Sequence, residues 1–79
     1  MLENLFFLIK GEYTLENKTH IGYGIGCYMN GKEIIFEDLS VNCQNVSNFV
    51  EKCNMLYLSP IHLRDAVEDF LVNCEVKRQ

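Results

Sequence analysis

The chain has 79 residues, of which 48% are apolar and 23% charged, and one proline. This composition is typical of one small folded domain and excludes a disordered or low-complexity chain. The formal net charge of −4 argues against non-specific binding to nucleic-acid phosphates, so no direct nucleic-acid binding is expected.

The first strong feature is a short apolar run, residues 5–9. It is too short for a signal peptide or a membrane span, so it is better read as a buried strand. We therefore expect a cytoplasmic protein without membrane association. The four cysteines are widely spaced, which does not match the close spacing of zinc sites, and reduced core thiols are the main expectation. Redox chemistry stays open as an alternative.

The first half of the chain predicts three strands, at about residues 4–15, 19–29 and 32–37. The dipeptide Asn30-Gly31 is a strong signal for a tight hairpin between the second and third strands. For the first hairpin, a three-residue loop over residues 16–18 would place Phe7 opposite Cys27. This choice keeps apolar residues on a common face and predicts an antiparallel meander in the order 1-2-3.

The second half predicts two helices, at about residues 43–56 and 60–74. Apolar residues recur there at steps of three and four. Asn42 or Ser40 is suited to cap the first helix, and Ser59 followed by Pro60 is suited to begin the second. The expected fold is a single α+β domain over residues 1–79, with order β-β-β-α-α and both helices on one sheet face. The expected inner layer is Phe7, Ile9, Ile21, Ile25, Ile34, Phe36, Phe49, Val50, Leu63, Val67 and Phe70.

Three glycines alternate along one face of the second strand. A phosphate-binding glycine loop would need a helix directly after the glycines, and here a hairpin follows. The glycines instead predict a flat trough, closed by aromatic neighbours, by close packing or by a second chain. We expect an apolar patch at this trough that supports a homodimer, formed by Phe6, Leu8, Gly22, Gly24, Gly26 and Ile35.

Eight acidic and two basic residues lie between Glu33 and Glu75. This segment is interpreted as a surface that binds a protein partner, although a merely solvated face and an acidic mimic of nucleic acid remain alternatives. A metal- or small-ligand site at His62 is a further alternative, because imidazole and carboxylate groups share one side of the helix there. The proposed partner-binding residues are Glu37, Asp38, His62, Asp65, Glu68 and Asp69.

Catalysis has little support in the sequence. The histidines are His20 and His62, and no serine or cysteine has the sequence context of a nucleophile elbow. We therefore expect a non-enzymatic regulatory protein that has no cofactor, no catalytic residues and no committed metal ligands.

Three motifs are similar to those of a known family: Tyr23-Gly24-Ile25, residues 37–40 (EDLS) and residues 58–71 (LSPIHLRDAVEDFL). The chain resembles, over about residues 13–72, a family of small uncharacterised proteins of anaerobic, spore-forming Firmicutes. The resemblance implies a bacterial cytosolic origin and the β-β-β-α-α order, with no known activity. Ala66, where a bulkier aliphatic residue is expected, and the short first hairpin depart from the pattern. The family pattern includes His62, Asp65, Glu68 and Asp69, which favours a docking surface at these residues.

Overall fold

The computed structural model describes residues 5–77, with side chains described from residue 5 to residue 73. Strands β1 (Phe6–Leu15), β2 (Lys18–Met29) and β3 (Lys32–Ser40) form an antiparallel sheet in the order β1-β2-β3. Helix α1 (Cys43–Met55), a 3-10 turn (Pro60–His62) and helix α2 (Leu63–Lys77) follow. The expected α+β fold with three strands before two helices is confirmed. The predicted strand residue 4 and the side chain of Cys74 lie outside the described part.

The hairpin between β2 and β3 has the turn that the sequence predicts. Met29 pairs with Lys32, and both turn residues, Asn30 and Gly31, have left-handed backbone angles. A type I′ turn needs this conformation at both positions. Cys27 therefore faces Ile34, as expected from the apolar alternation.

The predicted loop of the first hairpin is wrong by one residue. Glu16 and Asn17 form a two-residue turn with left-handed φ values of 52° and 68°, and Leu15 pairs with Lys18. The two-residue turn matches the twist of the strands, although glutamate is an uncommon residue for it. Phe6 rather than Phe7 therefore lies opposite Cys27.

This shift of one residue reverses the two faces of β1. Phe6 is only 2% exposed and belongs to the core, whereas Phe7 contacts the glycine strip on the face without helices. The assignment of Phe6 and Leu8 to the glycine face is therefore corrected, as is that of Phe7 and Ile9 to the inner layer. Leu8 alternates with Phe7 and so faces the helix side, where it is partly exposed. Ile21, at 40% exposure, also lies outside the buried core.

A bulge extends β3 beyond its predicted end at residue 37. The pairing shifts between Tyr23, which faces Ser40, and Ile25, which faces Phe36. Asp38 lies in this bulge with a left-handed φ of 54°. A bulge adds residues to one strand without ending the pairing, so the strand continues to Ser40.

The core lies between the sheet and the helices. Val46, Val50 and Cys53 of α1 are buried there, with Leu63 and Val67 of α2. The remaining predicted inner residues of β3 and the helices are partly buried against this cluster: Ile34, Phe36, Phe49 and Phe70.

The helical segments after the sheet begin in two different ways. The Asn42 side chain accepts a hydrogen bond from the Asn45 N–H at 3.0 Å and caps the helix, while Ser40 Oγ accepts the Asn42 N–H. The side chain of Ser59 makes no capping hydrogen bond; its carbonyl accepts the His62 N–H at 2.9 Å. The second helical segment therefore begins with the 3-10 turn rather than as one continuous α-helix.

Candidate functional site

An open groove lies between α1 and α2, with a volume of about 370 Å³. Phe49 and Phe70 stack in it with ring centroids 4.7 Å apart. Cys53, a buried core residue, also lines the groove. Leu56 lines it too, with 67% of its surface exposed. The groove therefore combines a partly buried apolar floor with an apolar side chain that projects into solvent.

The two helices place these side chains because their apolar stripes are only partly used by the sheet. On α1, Val46 and Val50 are buried, while Phe49, one residue before Val50 in the chain, turns toward α2. On α2, Leu63 and Val67 are buried and Phe70 turns toward α1. The groove lies where the apolar side chains that do not face the sheet, Phe49 and Phe70, meet between the two helices.

Polar side chains surround the apolar floor. Lys52 and Asp69 are the charged residues that line the groove, and both are exposed. Three asparagines complete the polar part of the lining: Asn45, Asn48 and Asn73. The rim can thus offer one charge of each sign and several hydrogen-bonding amides to a bound group.

The burial of the core raises the pKa of the two thiols described there. The pKa of Cys27 is raised by desolvation, and that of Cys53 is raised because desolvation outweighs the opposing charge of Lys52. Raised values keep these groups as thiols, which are poor nucleophiles. Cys53 therefore serves the groove as a small apolar surface rather than as a reactive group.

A second, polar cluster lies on the helix-free face of the sheet. His20 Nε2 lies 3.1 Å from both carboxylate oxygens of Asp38, and the rings of His20 and Tyr13 are 5.8 Å apart. Desolvation raises the pKa of Tyr13, and the nearby Glu37 carboxylate raises it further. Gly22 makes room for this cluster, because a Cβ there would collide with the Asp38 carboxylate.

The glycine strip is covered by side chains of the sheet itself. A Cβ at Gly26 would lie 2.6 Å from atoms of Phe7 and of Ile35, and one at Gly22 would meet Tyr13. Of the expected patch, Gly22, Gly24, Gly26 and Ile35 do share this face, but Phe7 takes the place expected for Phe6. Covering by aromatic neighbours, one of the expected alternatives, is thus what the structure shows.

The expected partner-binding residues do not form one surface. Glu37 and Asp38 lie with the Tyr13 cluster on the helix-free face, whereas α2 packs against the opposite face. Residues His62, Asp65, Glu68 and Asp69 are all exposed, and of these Asp69 lines the groove. Alternation from the inward-facing Phe36 places Glu37 on the helix-free face, and the bulge brings Asp38 to the same face, which alternation does not predict.

No group of three or more histidine, cysteine, aspartate or glutamate side chains that could hold a metal ion occurs within the described residues. The metal site considered at His62 therefore has no ligand set there. None of the helices in the described part of the chain is long and apolar enough to span a membrane.

Sequence reasoning missed most of the groove. The sequence predicts Phe49 and Phe70 only as inner-layer residues, and it predicts residue 56 only as the end of the first helix. A usable signal was the run Met55-Leu56-Tyr57-Leu58, which has more apolar residues than one helix face needs. His20 and Tyr13 were missed because the predicted loop placed Tyr13 opposite Ile21.

Comparison with known proteins gives a family but no activity. A family model described as a family of unknown function, DUF6514, matches residues 3–73. No curated protein and no solved structure matches the chain. Because the family model covers most of the chain, the protein belongs to the DUF6514 family of unknown function.

Proposed function

We propose that this is a small, non-enzymatic regulatory protein that binds another protein by taking an amphipathic helix with a basic flank into the groove between α1 and α2. The observation that supports this most is the open apolar groove itself, with stacked Phe49 and Phe70 and an exposed Leu56. Amphipathic helices bind in grooves of this kind through apolar side chains spaced at i, i+3, i+4 and i+7.

The charge of α2 favours a basic flank on the bound helix. Arg64 lies over the Phe36 ring, with its guanidinium carbon 6.0 Å from the ring centroid, and so is turned toward the sheet. The other charged residues over the same stretch are acidic and exposed: Asp65, Glu68 and Asp69. A partner helix with lysine or arginine along the edge next to α2 would complement them.

The alternatives have less support. A groove of about 370 Å³ falls within the size range of small-molecule sites, but a site for a small ligand is usually enclosed, and Leu56 here is mostly exposed. A mimic of nucleic acid needs a continuous acidic array, and the acidic residues here are divided between the two sides of the sheet. A bacterial, cytoplasmic setting is part of the proposal, and the free, buried thiols of Cys27 and Cys53 are consistent with a reducing compartment.

The test is a titration of isotope-labelled protein with synthetic amphipathic helices, followed by nuclear magnetic resonance. A panel of peptides with leucine anchors and a lysine-rich flank is compared with the same peptides carrying glutamate on that flank. We expect the lysine peptides to shift groove signals such as those of Phe49 and Phe70. Absence of binding by every peptide, or preference for the glutamate series, contradicts the proposal. Binding of small apolar fragments alone would favour the small-ligand alternative.

Matched variants separate the groove from its surroundings. Leu56→Asp should weaken peptide binding by about tenfold or more, because it places a charge at the apolar contact. Met55→Asp is the control, since Met55 is 70% exposed and does not line the groove. Asp69→Lys should weaken binding of the lysine peptides more than Asp65→Lys, which alters a charge outside the groove. Equal effects within either pair would contradict the location.

A further inference from the structure

The outer edge of β1 has a regular row of backbone groups that the described chain leaves largely uncovered. The Phe6 N–H donates to Asn54 Oδ1 at 2.9 Å, and the Phe6 carbonyl accepts from Asn54 Nδ2 at 3.0 Å. Both groups of Phe6 thus point away from β2. Because backbone groups alternate between the two sides of an antiparallel strand, those of residues 8, 10, 12 and 14 point to the same outer edge.

This edge is bounded at both ends by features of the fold. Asn54 occupies the edge at Phe6, and the turn at Glu16 and Asn17 ends the strand at the other side. The free stretch, residues 7–15, therefore has Gly11 at its middle. The pairing of β1 with β2 is regular throughout, so the edge is not distorted by a bulge. The edge of β3, in contrast, contains the bulge at Asp38, which disfavours pairing.

The geometry points to a second copy of this chain as the strand that completes the edge: we propose that two molecules pair β1 with β1 in antiparallel fashion, with Gly11 on the two-fold axis. In that register Lys10 of each copy lies opposite Glu12 of the other. Leu8 lies opposite Thr14 in the same way. The interface is thus self-complementary in charge, as a two-fold dimer requires.

Neighbouring registers are disfavoured by the same charges. Moving the axis to residue 10 places Lys10 opposite Lys10, and moving it to residue 12 places Glu12 opposite Glu12. Directly opposed like charges destabilise strand pairing. Lys10 and Glu12 thus protect the edge against most other strands while favouring one pairing with an identical strand.

The side chains on both faces of the edge are compatible with this pairing. On the helix-free face, Ile9 of one copy would lie opposite Tyr13 of the other. On the same face, the exposed Leu15 would lie opposite Phe7 at the end of the paired stretch, whereas on the helix side Leu8 is 39% exposed. The expected homodimer is therefore proposed at the β1 edge rather than across the glycine strip, which Phe7 and Tyr13 already cover. This inference does not depend on the groove.

Charge reversal at the edge tests the proposal. Sedimentation at high micromolar concentration should show a dimer of the native chain, and either Lys10→Glu or Glu12→Lys should raise its dissociation constant by about tenfold or more. The double variant that combines both reversals should dimerise again, because it restores opposite charges at both contacts. Mixing the two single variants should give a heterodimer, since one chain then carries glutamate at both positions and the other carries lysine at both.

Both residues are exposed, so circular dichroism and urea unfolding of the variants should show an intact monomer. Glu33→Lys, on the β3 edge, is the control and should leave the dimer unchanged. A purely monomeric native protein overturns the proposal, as does a dimer that tolerates the single reversals. Failure of the double variant to dimerise also overturns the proposal, because that result excludes the predicted register.

Discussion

The side-chain amide of Asn54 forms two hydrogen bonds with the backbone of Phe6, at 2.9 and 3.0 Å. It joins the last turn of α1 to the first residue of β1, 48 positions earlier in the chain. Phe6 is itself 2% exposed, so the two hydrogen bonds hold a core aromatic residue at the edge of the sheet. The Asn54 amide thus satisfies the two backbone groups of Phe6 that a neighbouring strand would otherwise bond.

Replacing Asn54 should weaken the whole fold. Asn54→Leu removes both hydrogen bonds and leaves two partly buried backbone groups unpaired, which should lower the free energy of unfolding by about 2 kcal/mol in urea titrations. Asn54→Asp should also destabilise, because the carboxylate can accept the Phe6 N–H but repels the Phe6 carbonyl. Asn48→Leu is the control: Asn48 is exposed and bonds only to the neighbouring Gln44 side chain, so its loss should be small. Equal losses for the two leucine variants would contradict this role.

Gly24 should not tolerate a side chain. A Cβ at this position would collide with the backbone carbonyl of Phe36, next to the bulge, and a backbone atom cannot rotate away. Gly24→Ala should therefore cost about 3 kcal/mol in chemical denaturation. Gly26→Ala is the comparison, since its Cβ would meet only the tips of Phe7 and Ile35, which can shift. The prediction fails if the two alanine variants are equally stable.

Replacing Tyr57 by glycine should stabilise the protein. It follows α1 with a left-handed φ of 54°, and its N–H donates to the Asn54 carbonyl while the Leu58 N–H donates to the Cys53 carbonyl. This is a Schellman arrangement, in which glycine is the usual residue. Tyr57→Gly should raise the free energy of unfolding by about 1 kcal/mol, because glycine has no Cβ to strain this conformation.

The alanine variant separates backbone strain from loss of the ring. Tyr57→Ala keeps the Cβ and should give little or no gain in the same urea titration. If alanine and glycine stabilise the protein equally, the exposed ring rather than the backbone angle is responsible.

The Tyr13 phenol should titrate above its ordinary pKa in the folded protein. Burial raises this pKa, and the Glu37 carboxylate raises it further. The folded state thus keeps the proton more firmly than the unfolded state, so the free energy of unfolding should fall as the pH rises above about 10. Tyr13→Phe should reduce this alkaline loss of stability.

The contribution of Glu37 can be measured separately. Glu37→Gln should lower the Tyr13 pKa toward its ordinary value in a titration of carbon-labelled tyrosine by nuclear magnetic resonance. Glu33→Gln, which alters a carboxylate beside Tyr28, should leave the Tyr13 resonance unaffected. An unchanged Tyr13 pKa in Glu37→Gln would exclude the proposed charge effect.

Much of the fold can be read from local patterns. Asn30-Gly31 predicts the second hairpin correctly, because few residues adopt its backbone angles easily. The apolar spacing predicts that Val46 and Val50 face the sheet, and Asn42 is a correct helix cap. These features depend on residues that are near one another in the chain, so the sequence alone determines them.

The face of β1 was decided only by the tertiary structure. Residues 6–9 are all apolar, so this part of β1 can bury either face, and the alternation over residues 10–15 favours the face that the structure leaves without helices. The two-residue turn and the distant Asn54 together place Phe6 inward. The groove depends in the same way on how α1 and α2 diverge around the Phe49–Phe70 stack. Local chemistry thus determined which elements form and in what order, whereas long-range packing determined which of two equivalent apolar faces each one buries.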